Sequence, residues 1–167
     1  GQHADDVARF DDRGNGGGNV SPMITERLQR TITYFSMHTN QKEGSVNPTG
    51  TFQGPKVLLI NEYSASDGDL FPYRFKHNKL GTIIGRRTWG GVVGIRGSLP
   101  FVDGGSLMRP EFAHYNAQGT DWIIEGHGVE PDIEIRNDPA REFAGIDDQL
   151  NKAIEVILDE LKTQKKD

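Results

Sequence analysis

Apolar residues in this chain come in short bursts separated by glycine and polar runs, and three stretches carry helical spacing. Val57-Leu58-Leu59-Ile60 is a continuous apolar run after Lys56, closed by Asn61. A run so short and unbroken predicts a buried strand over 56–60. The stretch Leu70-Phe71-Pro72-Tyr73-Arg74-Phe75 follows a Ser/Asp turn and predicts a helix from about Ser66 to His77. Ser21-Pro22 opens another helix, with Ser as cap and Pro at the first position, and Ile24, Leu28 and Ile32 share one face. The last helix starts at the cap Asp147 and is expected to bury Leu150, Ile154, Ile157, Leu158 and Leu161. Short strands are read at Val7–Phe10, Thr31–Phe35, Thr82–Ile84 and Trp122–Ile124, with hairpins across Gly90–Ile124. Asn40 to Pro55 reads as a polar loop, expected to be mobile and to border a cleft. Strands alternating with helices predict an α/β domain over 7–167, after an unstructured or non-native start at residues 1–6.

Composition narrows the classes. With 167 residues the chain can hold one domain with a real core. Hydrophobic content of 34% and 21 glycines point to a loop-rich domain or a piece of something larger. Net charge is −5, and no basic run occurs before Lys165-Lys166, which argues against nucleic-acid binding. No apolar stretch approaches the 18 or so residues of a membrane span. The absence of cysteine excludes a disulfide framework and a thiolate metal site, and leaves the cytoplasm, the periplasm and secretion all open. No histidine or carboxylate spacing suggests a metal, and no cofactor is expected.

Three segments carry candidate chemistry. Asn61-Glu62-Tyr63-Ser64-Ala65-Ser66-Asp67-Gly68-Asp69 breaks directly out of the buried strand. A strand ending in a tight turn of small residues before a helix can hold a hydroxyl exposed and rigid, with a backbone N–H beside it for a developing oxyanion. The local alternative is a Ser-rich helix cap. Asp11-Asp12-Arg13-Gly14-Asn15-Gly16-Gly17-Gly18 follows a strand and permits positive φ and close backbone approach, or is a flexible turn. It has neither P-loop nor dinucleotide spacing. Gly126-His127-Gly128-Val129-Glu130-Pro131-Asp132 holds an acid whose backbone Pro131 forces into an extended form, or is a solvated surface turn.

In this order the segments resemble the tail-specific protease family of serine peptidases, in its tricorn-type branch. The Asp-x-Arg-x-Asn-x-Gly-Gly loop is Asp11 to Gly18, the nucleophile turn is Tyr63 to Asp69, and Gly85-Arg86-Arg87-Thr88-Trp89-Gly90-Gly91 and Gly128 to Asp132 complete the set. The resemblance implies a ClpP/crotonase-like ββα superhelix, of which this chain is the C-terminal part. It implies Ser66 as nucleophile, the N–H groups of Gly17 and Asp67 as oxyanion hole, and Glu130 in a charge network that orients a histidine through a serine. That His-Ser pair lies well upstream in the family, so the base is expected from another segment of the protein and the fragment alone is expected to be inert. A peptide or unfolded protein substrate and a homo-oligomer are implied as partners. An acidic residue of a neighbouring subunit selects basic side chains in some relatives, and Glu43 is a candidate for that role.

The related carboxy-terminal processing proteases use a Ser-Lys dyad whose lysine falls at Gly91 here. Glycine cannot take a proton, and Arg86 and Arg87 remain charged, so a lysine base is disfavoured. Of the histidines, His3, His38, His77, His114 and His127, none stands in a family base position. Two other functions stay open: a non-catalytic ligand- or protein-binding module of the same superfamily, and a crotonase-like acyl-CoA enzyme. Ser64 is the second-choice nucleophile.

Overall fold

The computed structural model describes residues 7–42, 44–97 and 99–164. The expectations for residues 1–6 and for Glu43 lie outside the described residues. In chain order the elements are β1 (Ala8–Asp11), α1 (Ser21–Leu28), β2 (Tyr34–Ser36), β3 (Ser45–Asn47), β4 (Lys56–Ile60), α2 (Asp67–His77), β5 (Thr82–Gly85), β6 (Gly94–Gly97), β7 (Met108–Phe112), β8 (Ile133–Glu134), α3 (Pro139–Phe143) and α4 (Asp148–Gln164).

A four-stranded parallel sheet runs in the order β1-β4-β5-β8. Its central strand explains the unbroken apolar run. Val57 and Leu59 face Ile84, Ala153 and Ile157 on the α4 side, while Leu58 and Ile60 face Ile83, Phe71 and Phe75 on the α2 side. All four β4 side chains from Val57 to Ile60 have no exposed surface. Burial of such a side chain contributes about 1.5–3 kcal/mol, and a strand covered on both faces has no polar side to spare. Phe10, Phe71 and Phe75 meet edge to face at 6.1–6.3 Å between ring centres.

The register pairs Asp11 with Leu59, Ile60 with Gly85 and Gly85 with Glu134. The strands therefore end together, and the loops after β1, β4 and β5 leave from one edge. That carboxyl edge is where open parallel sheets place their sites.

Several local expectations shift. The polar loop at 40–55 contains β3, which pairs antiparallel with β2. Helix α1 ends at Leu28, leaving Ile32 outside it, and Val20 rather than Ser21 stands at its cap. Ser21 gives its hydroxyl to Asp67 instead, a partner 46 residues away that local spacing does not reveal. The segment 122–124 makes no strand: Trp122 forms a single bridge with Tyr115, and Ile124 turns at φ 69°. In α4, Asp147 caps as expected by accepting the Leu150 N–H at 3.0 Å. The buried face, however, runs through Ala153 and Ile157, and Ile154 and Leu158 are 47% and 50% exposed. Among the described residues, no helix is long and apolar enough to cross a membrane.

Candidate active site

The turn after β4 is built from the backbone outward. Asn61 Oδ1 accepts the N–H groups of Gly14 (2.9 Å) and Tyr63 (3.1 Å). Ser64 is fully buried and donates its hydroxyl to the Asp12 carbonyl at 2.8 Å, so it is a strut and not a free nucleophile. Ser66 is exposed, with φ 57° and ψ −115°. A non-glycine residue there costs on the order of 1–3 kcal/mol and persists only when its surroundings fix it. The Ser66 N–H donates to Asp69 Oδ2 (2.9 Å) and to the Gly91 carbonyl (3.1 Å). Asp69, wholly buried, also accepts the N–H groups of Gly90 (2.8 Å) and Gly91 (3.1 Å). One carboxylate thus clamps the strained turn to the loop after β5.

The glycine loop lies against that turn. A β-carbon on Gly17 (φ 126°) would sit 2.8 Å from Cβ of Ser66, and one on Gly68 would sit 2.3 Å from the Asn15 carbonyl oxygen. Only glycines let the two segments approach this closely. The Asn15 carbonyl accepts the Ala65 N–H at 2.8 Å. Its carboxamide accepts the Gly17 N–H at 3.0 Å and donates to Asp12 Oδ1 at 2.8 Å. The N–H groups of Gly18 and Asp67 have no acceptor among the described residues. The Asp67 carboxylate is buried, where it accepts the N–H groups of Val20 (2.9 Å) and Ser21 (3.0 Å) and the Ser21 hydroxyl. The start of α1 is thereby tied to the start of α2.

Asp12 is the electrostatic oddity of the loop. Burial pushes its carboxyl up to about 7, with the Asp67, Asp69 and Asp11 carboxylates adding to the rise against the Asn15 hydrogen bond. Its Oδ2 is buried without a hydrogen-bond partner. A neutral acid suits such a place better than a charge.

Across from Ser66, a β-carbon at Gly91 would stand 2.2 Å from Cζ3 of Trp89. The Trp89 ring occupies the space a side chain at 91 would need. Glu125 Oε2 accepts the N–H groups of Val92 (2.7 Å) and Val93 (2.9 Å), and the Gly126 N–H donates to the Gly90 carbonyl at 2.8 Å. Ile124, buried and β-branched at φ 69°, aims Glu125 onto this loop; such a backbone is an outlier for isoleucine.

Ser66, Asp67 and Gly17 are brought together. Glu130 is not among them. Its exposed carboxylate is 3.9 Å from the Arg87 guanidinium, and its carbonyl accepts from Lys76 Nζ at 2.9 Å near the far end of α2. The acid that holds the loop just after Gly91 is Glu125, which the sequence reading missed; an acid between a β-rich run and Gly126 was its only local signal. No described histidine contacts Ser66. His77 stacks on Tyr73, His114 meets Phe112 edge-on, and His127 Nε2 accepts the Ile124 N–H at 3.2 Å. Among the described residues, no cluster could hold a metal ion.

Residues 10–135 match the family model "Peptidase family S41". The chain is 41% identical over 157 residues to the tricorn protease of Thermoplasma volcanium, covering 93% of this chain and 15% of that protein. It is 42% identical over 153 residues to a tricorn protease homolog of Saccharolobus solfataricus, covering 90% of this chain and 14% of the relative. It superimposes on the crystal structure of the tricorn protease with a TM-score of 0.85 at 39% identity, over 93% of this chain and 15% of that one. The chain therefore spans about 15% of the length of these relatives.

Proposed function

Because this chain belongs to peptidase family S41, we propose that it carries the nucleophile half of a serine endopeptidase site, with Ser66 as the attacking residue. The observation that carries the reading is the Ser66 turn itself: an exposed hydroxyl on a strained backbone, fixed by the buried Asp69, with the unpaired Asp67 N–H beside it. Ser66 Oγ attacks the peptide carbonyl carbon and passes its proton to a histidine supplied by another part of the protein. The oxyanion that forms takes the Asp67 N–H and an N–H of the glycine loop. Gly17 is the nearest loop residue, and its N–H becomes available when the Asn15 carboxamide turns away; the Gly18 N–H already has no acceptor. Collapse expels the amine, protonated by the same histidine, and leaves an acyl-Ser66 that water hydrolyses.

Glu125, in place of Glu130, fits the charge network. Its Oε2 holds the loop at 92–93, and its Oε1 takes no hydrogen bond among the described residues, so it is free for the incoming base segment. Trp89 over Gly91 supports a base other than lysine. A crotonase-like acyl-CoA enzyme leaves the strained Ser66 without a use, and a binding module leaves the unpaired Asp67 N–H without one.

The test is fluorophosphonate labelling of the full-length protein. The probe is expected on Ser66 by peptide mass mapping. Ser66→Ala is expected to lose label and at least about a thousandfold of peptide hydrolysis, with an unchanged melting temperature. Retained hydrolysis in that variant, or labelling elsewhere, would overturn the assignment.

A further inference from the structure

Helix α2 carries a stripe of Leu70, Tyr73 and His77, which begins one turn after the non-helical cap Ser66, whose carbonyl accepts the Leu70 N–H at 3.0 Å. At 3.6 residues per turn these lie on one face, and Leu70 is about 6 Å along the axis from Ser66. Beside this stripe is a pocket of about 480 Å³, bounded by α1, α2 and the segment 114–123. Its near wall is apolar: Leu70 and Ile123 pack on the core cluster of Val92, Ile124 and Val129 that lies under the loop held by Glu125. Its far end is basic, with Arg74, His77 and His114.

Arg74 is the informative member. Its Nε is buried and has no hydrogen-bond partner, and no ion pair reaches its guanidinium among the described residues. A guanidinium is always charged and presents a fixed fork of donors, so a buried Nε left unpaired is costly until an acceptor arrives. Among the described residues the one acid on the rim, Glu26, is already held by Arg30, whose Nε and second terminal nitrogen lie 3.0 and 3.1 Å from its two oxygens.

We propose that this pocket is a substrate subsite that accepts a carboxylate carried by the bound peptide, with Arg74 as the residue that pairs with it and Leu70 and Ile123 as the apolar walls along its stem. This rests on the peptidase reading, since the peptide is brought to the pocket by attack at Ser66. The carboxylate comes from an Asp or Glu side chain or from the peptide's own C-terminus, and one experiment separates these sources.

Full-length protein is given peptide sets that differ only by Glu or Gln at each of the three residues on either side of the scissile bond, each with a free or an amidated C-terminus. The kcat/KM ratio is read for each pair. Glu is expected to beat Gln at one position by roughly ten- to a hundredfold, the range of a charge-assisted hydrogen bond. If the terminus is the source, the acid-to-amide ratio rises and the Glu-to-Gln ratios stay near one. Arg74→Met is expected to bring the preferred ratio to within about twofold of one. Arg74→Lys is expected to keep part of the preference, since it keeps the charge and loses the fork. The same pairs are titrated against the Ser66→Ala protein by fluorescence anisotropy, which reads the pocket without turnover. If wild type cuts nothing yet Ser66→Ala binds the acidic peptides through Arg74, the peptidase reading fails and the pocket stands. If wild type cleaves with equal ratios throughout, or Arg74→Met leaves the preference intact, the pocket assignment is overturned.

Discussion

Around Ser66, consecutive backbone N–H groups end on buried carboxylates: Gly90 and Gly91 on Asp69, Val20 and Ser21 on Asp67. In the hairpin of β6 and β7, by contrast, all five residues of β7 are exposed, and the apolar side chains of Ile95, Met108 and Phe112 are 48–60% open to solvent. The two regions are neighbours in sequence, since Gly91 and Gly94 are three residues apart. One is over-determined by polar contacts in the core, and the other is held by a short ladder and an ion pair between Arg96 and Glu111 at 3.3 Å. Strain needs the first kind of setting. A residue at φ 57° survives because its N–H is held at once by the Asp69 carboxylate and the Gly91 carbonyl, which are themselves tied together by the Gly90 and Gly91 N–H groups.

Substitutions that probe this contrast should span a wide range. The largest effect is expected from Asp69→Ala, which leaves the N–H groups of Gly90 and Gly91 without their acceptor and the Ser66 N–H with the Gly91 carbonyl alone. Chemical denaturation of the full-length protein should show a loss of about 3 kcal/mol or more, and hydrolysis should collapse with it. A loss below about 1 kcal/mol would mean the turn is fixed by other contacts. Next comes Glu125→Gln, which keeps an acceptor for Val92 and Val93 while removing the charge. Turnover should fall by about a hundredfold with the Michaelis constant nearly unchanged, while Glu130→Gln should stay within about twofold. Equal effects from the two would return Glu130 to the site.

Asp12 gives a smaller, pH-dependent effect. Its carboxyl rises from 3.8 to about 7 on folding, so between those values the folded chain holds a proton that the unfolded chain has released. Its contribution to stability is complete below about pH 4 and is lost as pH rises through about 7. Asp12→Asn keeps the Asn15 hydrogen bond and removes the ionisation. Thermal unfolding should then depend less steeply on pH between 4 and 7, with a gain of order 1 kcal/mol at pH 8. An unchanged slope would show that the acid is hydrated when folded. The smallest effect is expected in the loop joining β6 and β7: Val102→Ser, at a fully exposed site, should change stability by less than about 0.5 kcal/mol by the same denaturation assay.

Much of the sheet was legible because its signals are local. Lys56–Ile60 was read to the residue, since a strand covered on both faces must be apolar throughout. The helix after Ser66 was also legible despite Pro72, which is buried within it. What failed depended on distant partners. The α4 face was phased only in part by leucine and isoleucine spacing: Ile157 and Leu161 pack on the core as read, but close approach to β4 and β5 selects the small Ala153 and leaves Ile154 and Leu158 half exposed. Ser21 looked like a cap until Asp67 was placed beside it. Glu125 was hidden by Ile123-Ile124, a pair that reads as strand, and no propensity rule puts isoleucine at positive φ.

Trp89 has a consequence for how this site can change over evolutionary time. Its ring fills the space above Gly91, so a lysine introduced there meets an occupied position. The ring is itself 64% exposed, so it has solvent to swing into. A lineage moving from this arrangement to one with its proton acceptor at 91 must therefore turn or shrink the side chain at 89 as well as write the new residue. Positions 89 and 91 are coupled in that change, and the cost of the second depends on how freely the first can move.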